Sequence, residues 1–191
     1  MKNLLIIGCG LACSGKSTFF KELARRNKNL VYIDKDVINN SFISEKNFSN
    51  DKNNSEFYDK NIKVQTYRAM FGLAKDNLIL KKSVILDGYF ADKLETPLFK
   101  ELLEMLNGVD YKLITVKFYC TKDVLFKRMK NRNFWRDYDK LLNKKSFDNY
   151  YDSDSKYLNS SKFDFVLNTE KTTEELIENF KEAFKNDFNN L

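Results

Sequence analysis

Nine consecutive residues carry the clearest chemistry in the chain: Gly10, Leu11, Ala12, Cys13, Ser14, Gly15, Lys16, Ser17 and Thr18. They fit G-x-x-x-x-G-K-[ST], the spacing of a phosphate-binding loop. Gly10 and Gly15 permit backbone angles closed to other residues. Successive N–H groups can then turn inward around phosphate oxygens. A helix starting behind the loop adds the positive end of its dipole. In such a loop the Lys16 ammonium reaches the β- and γ-phosphates, and the Ser17 hydroxyl holds Mg2+. The motif assigns Gly10 to Thr18 as nucleotide-binding.

Three carboxylates follow short apolar runs. Leu30-Val31-Tyr32-Ile33 ends in Asp34-Lys35-Asp36, and Ser83-Val84-Ile85-Leu86 ends in Asp87. In open α/β sheets, ligands bind beyond the carboxyl ends of strands. Asp87 therefore stands where a strand presents a carboxylate to the Mg2+ shell, alongside Ser17. Asp34 and Asp36 are placed to meet a substrate; the alternative is that one of them caps the next helix. Arg128, Arg132 and Arg136 are spaced four apart, so a continuing helix would carry them along one face. Guanidinium forks suit phosphate oxygens. Arg68 is read as a surface residue. No histidine occurs, so a general base must be Asp, Glu, Lys, Tyr or Cys.

The elements that must position these groups alternate. Leu4 to Ile7 reads as a strand buried on both faces, and Ser17 to Asn27 as the helix behind the loop. Leu30 to Ile33 is a second strand. The segment 39–56 is polar and reads as a mobile loop or a frayed helix over the substrate side. Phe57 to Lys81 reads as one long helix containing Gly72, and Ser83 to Asp87 as the third strand. Thr96-Pro97 opens a helix running to Asn107 with Gly108 as its stop. Tyr111 to Tyr119 is a fourth strand, Thr121 to Asn131 a helix, and 146–161 a polar loop. Phe163 to Leu167 is a fifth strand. Thr172 to Glu175 is a capping box opening the last helix. The pattern predicts a parallel five-stranded sheet with helices on both faces.

At 191 residues the chain is read as a single domain over 1–191. The net charge is +6, and residues 121–145 hold nine Lys or Arg against three Asp. The basic excess is thus local to the arginine-bearing segment, where a polyphosphate would use it. The three cysteines show no metal-like spacing, which suggests a reducing compartment. The N-terminal apolar run of four residues is shorter than the ~7–15 of a secretory core. The expected location is cytoplasmic, with no membrane partner.

The order of these features resembles the AAA-type P-loop kinases that include zeta toxins, chloramphenicol phosphotransferase and polynucleotide 5′-kinases. The resemblance runs from Leu4 to about Phe180. It implies a three-layer α/β/α P-loop kinase domain with a helical arginine-bearing lid at about 128–147. It implies ATP and Mg2+ as cofactors and phosphoryl transfer to an acceptor hydroxyl. By position it assigns Asp36 as the base, with Asp34 second, and Arg132 and Arg136 as phosphate-bridging lid arginines. Arg128 falls nearer the nucleotide base. Two positions depart from the family pattern: Asn39 stands where Arg or Lys is usual, and Cys13 where Gly is usual. The expected partners are ATP and a nucleoside-, sugar- or antibiotic-like small molecule. A nucleic-acid 5′-hydroxyl is the second choice of acceptor. A nucleotide-dependent switch or ATPase without a dedicated acceptor is the reading from another class.

Overall fold

The computed structural model describes residues 2–42, 57–90, 94, 96–134, 137–160 and 162–188. Five strands form one all-parallel sheet: β1 Asn3–Cys9, β2 Leu30–Asp34, β3 Ser83–Asp87, β4 Tyr111–Tyr119 and β5 Phe165–Asn168. Their spatial order is β2-β3-β1-β4-β5. Along β1, Leu5 and Ile7 pack into one apolar cluster while Leu4 and Ile6 pack into another. A strand apolar on both faces needs cover on both, which gives three α/β/α layers. The first cluster takes Met70, Phe71 and Ala74 from the helix Lys63–Ile79. The second takes Phe19 and Phe20 from α1 (Lys16–Arg25), with Ile177 and Phe180 from the helix Thr173–Ala183.

Register decides which strand ends meet. Gly8 pairs with Asp87 across β1 and β3, and Asp34 pairs with the same Asp87 across β2 and β3. The phosphate loop and two carboxylates therefore share one end of the sheet.

Helix α2 (Lys35–Asn40) follows β2 directly. The predicted helix from Phe57 to Lys81 is two elements: a π-helical turn at Tyr58–Ile62, then α3 (Lys63–Ile79). At the junction the Thr66 hydroxyl donates to the Ile62 carbonyl at 3.0 Å and to Asn39 Oδ1 at 2.7 Å. Thr96 caps α4 (Pro97–Glu104) as expected, but the chain continues in turns to Gly108 instead of helix to Asn107.

Two corrections concern the C-terminal half. Helix α5 (Lys122–Arg132) stops at Asn133, whose φ of 44° is left-handed. Arg128 and Arg132 share that helix, and the helix does not continue past Asn133. The segment read as a polar loop at 146–161 is instead a helix, reached through a short α6 (Tyr138–Leu141) and forming α7 (Lys144–Ser160). Phe147, Tyr150, Tyr151 and Leu158 recur there at helical spacing. Phe147 stacks edge-on to Phe126 at 4.8 Å between centroids. That packing overrides the low propensity of an Asn-, Asp- and Ser-rich run. The capping box at Thr172 and Glu175 opens α8 (Thr173–Ala183), and α9 (Lys185–Phe188) follows. The 43–56 portion of the predicted substrate-side loop lies outside the described residues.

Candidate active site

The loop after β1 departs from its sequence reading at Gly10. Gly15 does take a left-handed angle, φ 90°, and caps α1. Gly10 has no positive φ; it needs space. A Cβ there would lie 2.6 Å from the Phe118 carbonyl oxygen and 2.7 Å from Ser14 Oγ. The second left-handed residue of the loop is Cys13, φ 64°. It occupies the position where the resemblance expects glycine, and it does so at the steric cost of a Cβ. The Lys16 ammonium folds back on the loop, donating to the carbonyls of Gly10 at 2.7 Å and Leu11 at 2.9 Å.

Around the loop lies a cavity of about 880 Å3. Ala12 to Thr18 form its floor, and Asp34, Asp36, Asp87, Arg128 and Arg132 line it as well. Gly10 and Leu11 lie below the floor and contribute their carbonyls. Arg136 lies outside the described residues. Arg68 pairs with Glu101 at 2.9 Å on the surface, as read. Asn39 is fully buried, donating to the Tyr58 hydroxyl at 3.0 Å. It braces α2 against the π-helical turn and, through Thr66, against α3, and it does not line the cavity.

The acids differ in employment. Asp34 caps α2, accepting the Asp36 N–H at 2.8 Å. Its other oxygen meets the Tyr32 hydroxyl at 3.1 Å. Tyr32 also donates to Asp87 at 2.7 Å. Asp87 is only 4% exposed. Burial pushes its carboxyl up from the usual range, against the pull of Lys16 and of hydrogen bonds from Ser17 and Tyr32. Burial lowers the Lys16 ammonium, and Asp87 opposes that shift. Asp36 is exposed, in the first turn of α2. Its charge acts on both Lys16 and Arg132.

A hydroxyl and a carboxylate already in contact, Ser17 with Asp87, form the hard-oxygen pair that could hold Mg2+. The buried charge of Asp87 would gain from a cation. Among the described residues no cluster of three or more Cys, Asp or Glu suggests another metal site.

Sequence reasoning named Arg128 but missed Thr169, Asp137, Lys140, Tyr150 and Tyr32. Arg128 donates to the hydroxyl of Thr169 at 2.9 Å and to its carbonyl at 2.6 Å, tying α5 to the turn after β5. Asp137, Lys140 and Tyr150 line the cavity too. The Tyr150 hydroxyl accepts the Ala12 N–H at 2.9 Å, and burial pushes its own pKa up. Tyr32 could have been suspected from the alternation along β2; Tyr150 lay in a stretch whose composition reads as loop.

A three-layer sheet of this strand order, with the phosphate loop after β1 and carboxylates after β2 and β3, is the fold of P-loop kinases. The chain belongs to the AAA domain family, whose sequence pattern matches residues 5–153. No curated protein matches the chain significantly in sequence. Solved structures do resemble it. A sugar kinase from Janibacter sp. HTCC2649 superposes with a TM-score of 0.59 at 15% identity, covering 97% of this chain and 95% of its own. Shikimate kinase from Aquifex aeolicus VF5 gives 0.57 at 18% identity, covering 96% and 97%. A gluconokinase from Sinorhizobium meliloti 1021 gives 0.55 at 13% identity, covering 99% and 94%. At these identities the likeness is one of fold. Among the described residues no helix is long and apolar enough to cross a membrane.

Proposed function

We propose that the protein is a kinase transferring the γ-phosphoryl group of ATP to a hydroxyl of a small-molecule acceptor. The observation that carries this reading is the placement of Asp36. It lines the same cavity as Lys16 while Asp34, two residues before it, is occupied as helix cap and Tyr32 partner. Asp36 is the carboxylate we assign to an incoming hydroxyl, since it lines the cavity beside Lys16 at the start of α2. The structural neighbours support the reading, since those named act on small molecules.

In this mechanism the loop N–H groups and Lys16 hold the phosphates, and Arg128 and Arg132 add positive charge from the lid side. Positioning and charge neutralisation account for most of catalysis in phosphoryl transfer. Ser17 and Asp87 would hold Mg2+, which would supply further neutralisation of phosphate charge. The acceptor oxygen forms its bond to the γ-phosphorus as the bond to the bridging oxygen breaks, and ADP leaves. Asp36 takes the hydroxyl proton, late in a loose transition state.

The test uses labelled ATP with a panel of nucleosides, sugars, antibiotics and 5′-hydroxyl oligonucleotides. Against an accepted substrate, Asp36→Asn is expected to keep ATP affinity and lose about 10²-fold or more in transfer. A dead Asp34→Asn beside an active Asp36→Asn would move the base to Asp34. Full activity in both variants would remove both carboxylates as the base, and no transfer to any member of the panel would leave a nucleotide-dependent switch as the better reading. Transfer to oligonucleotides alone would name a polynucleotide kinase.

A further inference from the structure

We propose that Asp137 is a positioning residue, a buried carboxylate that seats the Arg132 guanidinium and the Lys140 ammonium over the phosphate loop. The proposal rests on the reading of Arg132 as a phosphate-bridging group.

Asp137 is 1% exposed. A carboxylate so buried persists as an anion only when paired and hydrogen-bonded. Its two oxygens are divided. Oδ2 accepts from Arg132 Nε at 3.1 Å and from Nη2 of the same side chain, and Oδ1 accepts from Lys140 Nζ at 2.9 Å. The cations are more open than the acid, with side-chain exposures of 40% for Arg132 and 29% for Lys140. The anion is the root of the cluster and the cations are its crown. All three line the cavity that holds Lys16.

The cluster is joined to the loop. Lys140 Nζ lies 4.9 Å from the centroid of the Tyr150 ring, and the Tyr150 hydroxyl holds the Ala12 N–H. The guanidinium of Arg132 also rests 5.4 Å from the Phe134 ring centroid. The positive-φ stop at Asn133 folds the chain back so that Asp137 can reach Arg132, five residues earlier. The Asp137 N–H donates to the Phe134 carbonyl at 2.8 Å. An arginine fork has five donors. Asp137 engages Nε and Nη2 and leaves Nη1 for an incoming oxygen; among the described residues no hydrogen bond engages it. One carboxylate thus orients the fork without consuming it.

The consequence is a split that a merely structural acid would not produce. Removing the negative charge leaves two cations beside a polyphosphate, so binding strengthens while the fork loses its aim. Asp137→Asn is expected to tighten ATP binding roughly threefold, the scale of a partly exposed charge contact. It is expected to lower turnover about tenfold or more, as misplaced catalytic groups do. In an Arg132→Ala background the same substitution should no longer lower turnover, since the two act as one unit. Asp137→Glu keeps the charge and should recover part of the loss.

The measurements are ATP affinity by calorimetry, steady-state turnover, and thermal midpoints of all variants. Weaker ATP binding together with lower midpoints in both Asn and Glu variants would overturn the proposal, leaving Asp137 as a structural pin. So would unchanged turnover in Asp137→Asn, or full additivity with Arg132→Ala. If the wild type binds ATP but transfers it to nothing, the kinase reading fails separately. Affinity then decides for Asp137: tightening that shrinks in the Arg132→Ala background sustains the seat, and additive effects remove it.

Discussion

Gly10→Ala tests whether the loop sits as tightly on the sheet as its geometry indicates. The added methyl would lie 2.6 Å from the Phe118 carbonyl oxygen and 2.7 Å from Ser14 Oγ. Ser14 is 2% exposed, and Phe118 belongs to β4, which pairs with β1 from Tyr111 to Lys117 and with β5 at Phe118 itself. Neither neighbour can swing aside as an exposed side chain would. Overpacking of this kind costs about 1–3 kcal/mol. The lower entropy of the unfolded alanine chain returns roughly 0.4–1 kcal/mol. The net is about 1–2 kcal/mol of destabilisation. For a chain of this size that lowers the thermal midpoint by about 2–8 °C. If ~1.4 kcal/mol of the strain is relieved by opening the loop, ATP affinity falls about tenfold. Gly72→Ala is the internal control. It lies within α3 with no atom inside 4 Å of the added Cβ. Helix propensity then predicts a gain of about 0.5–1 kcal/mol with nucleotide affinity unchanged. Circular-dichroism melts and labelled-ATP titrations on both variants read the contrast. A Gly10→Ala protein as stable as wild type, with the same affinity, would refute the close approach of loop and β4.

Two further outcomes are expected. Lys16→Ala removes the ammonium now bonded to the Gly10 and Leu11 carbonyls; Mg-ATP binding or turnover should be lost with the circular-dichroism spectrum retained, and unchanged affinity and turnover would contradict the site. Burial raises the pKa of all three thiols, that of Cys9 to about 12, with Arg132 pulling Cys13 back. Since the thiolate is the reactive form, iodoacetamide at pH 7.5 should label the folded protein more slowly than the urea-unfolded chain. Labelling should quicken as pH rises, and Mg-ATP should shield Cys13. Rapid labelling of Cys9 in the folded protein at neutral pH would be incompatible with its packing under the sheet.

What the amino-acid sequence determined by itself was the sheet and its chemical end. Strands buried on both faces read as continuous apolar runs, and the carboxylates and the glycine-rich loop sit immediately after them. Local order along the chain therefore placed Lys16, Ser17, Asp34, Asp36 and Asp87 at one edge before any fold was known. The fold class, the five parallel strands and the capping box at Thr172 followed from the same local rules. Tertiary structure decided whatever depended on partners distant in the chain. Asp34 and Asp36 are equivalent by spacing; only the hydrogen bonds from Tyr32 and from the Asp36 N–H commit Asp34. Helix α7 is invisible to composition because its stability comes from Phe147 and Leu158 packing under the sheet, not from propensity. The helix carrying Arg128 and Arg132 ends at Asn133, since a single left-handed residue stops what spacing would continue. Asp137 lay unremarked in a basic segment until folding buried it between Arg132 and Lys140. A buried charge acquires meaning from its neighbours in space, and those are set by the fold.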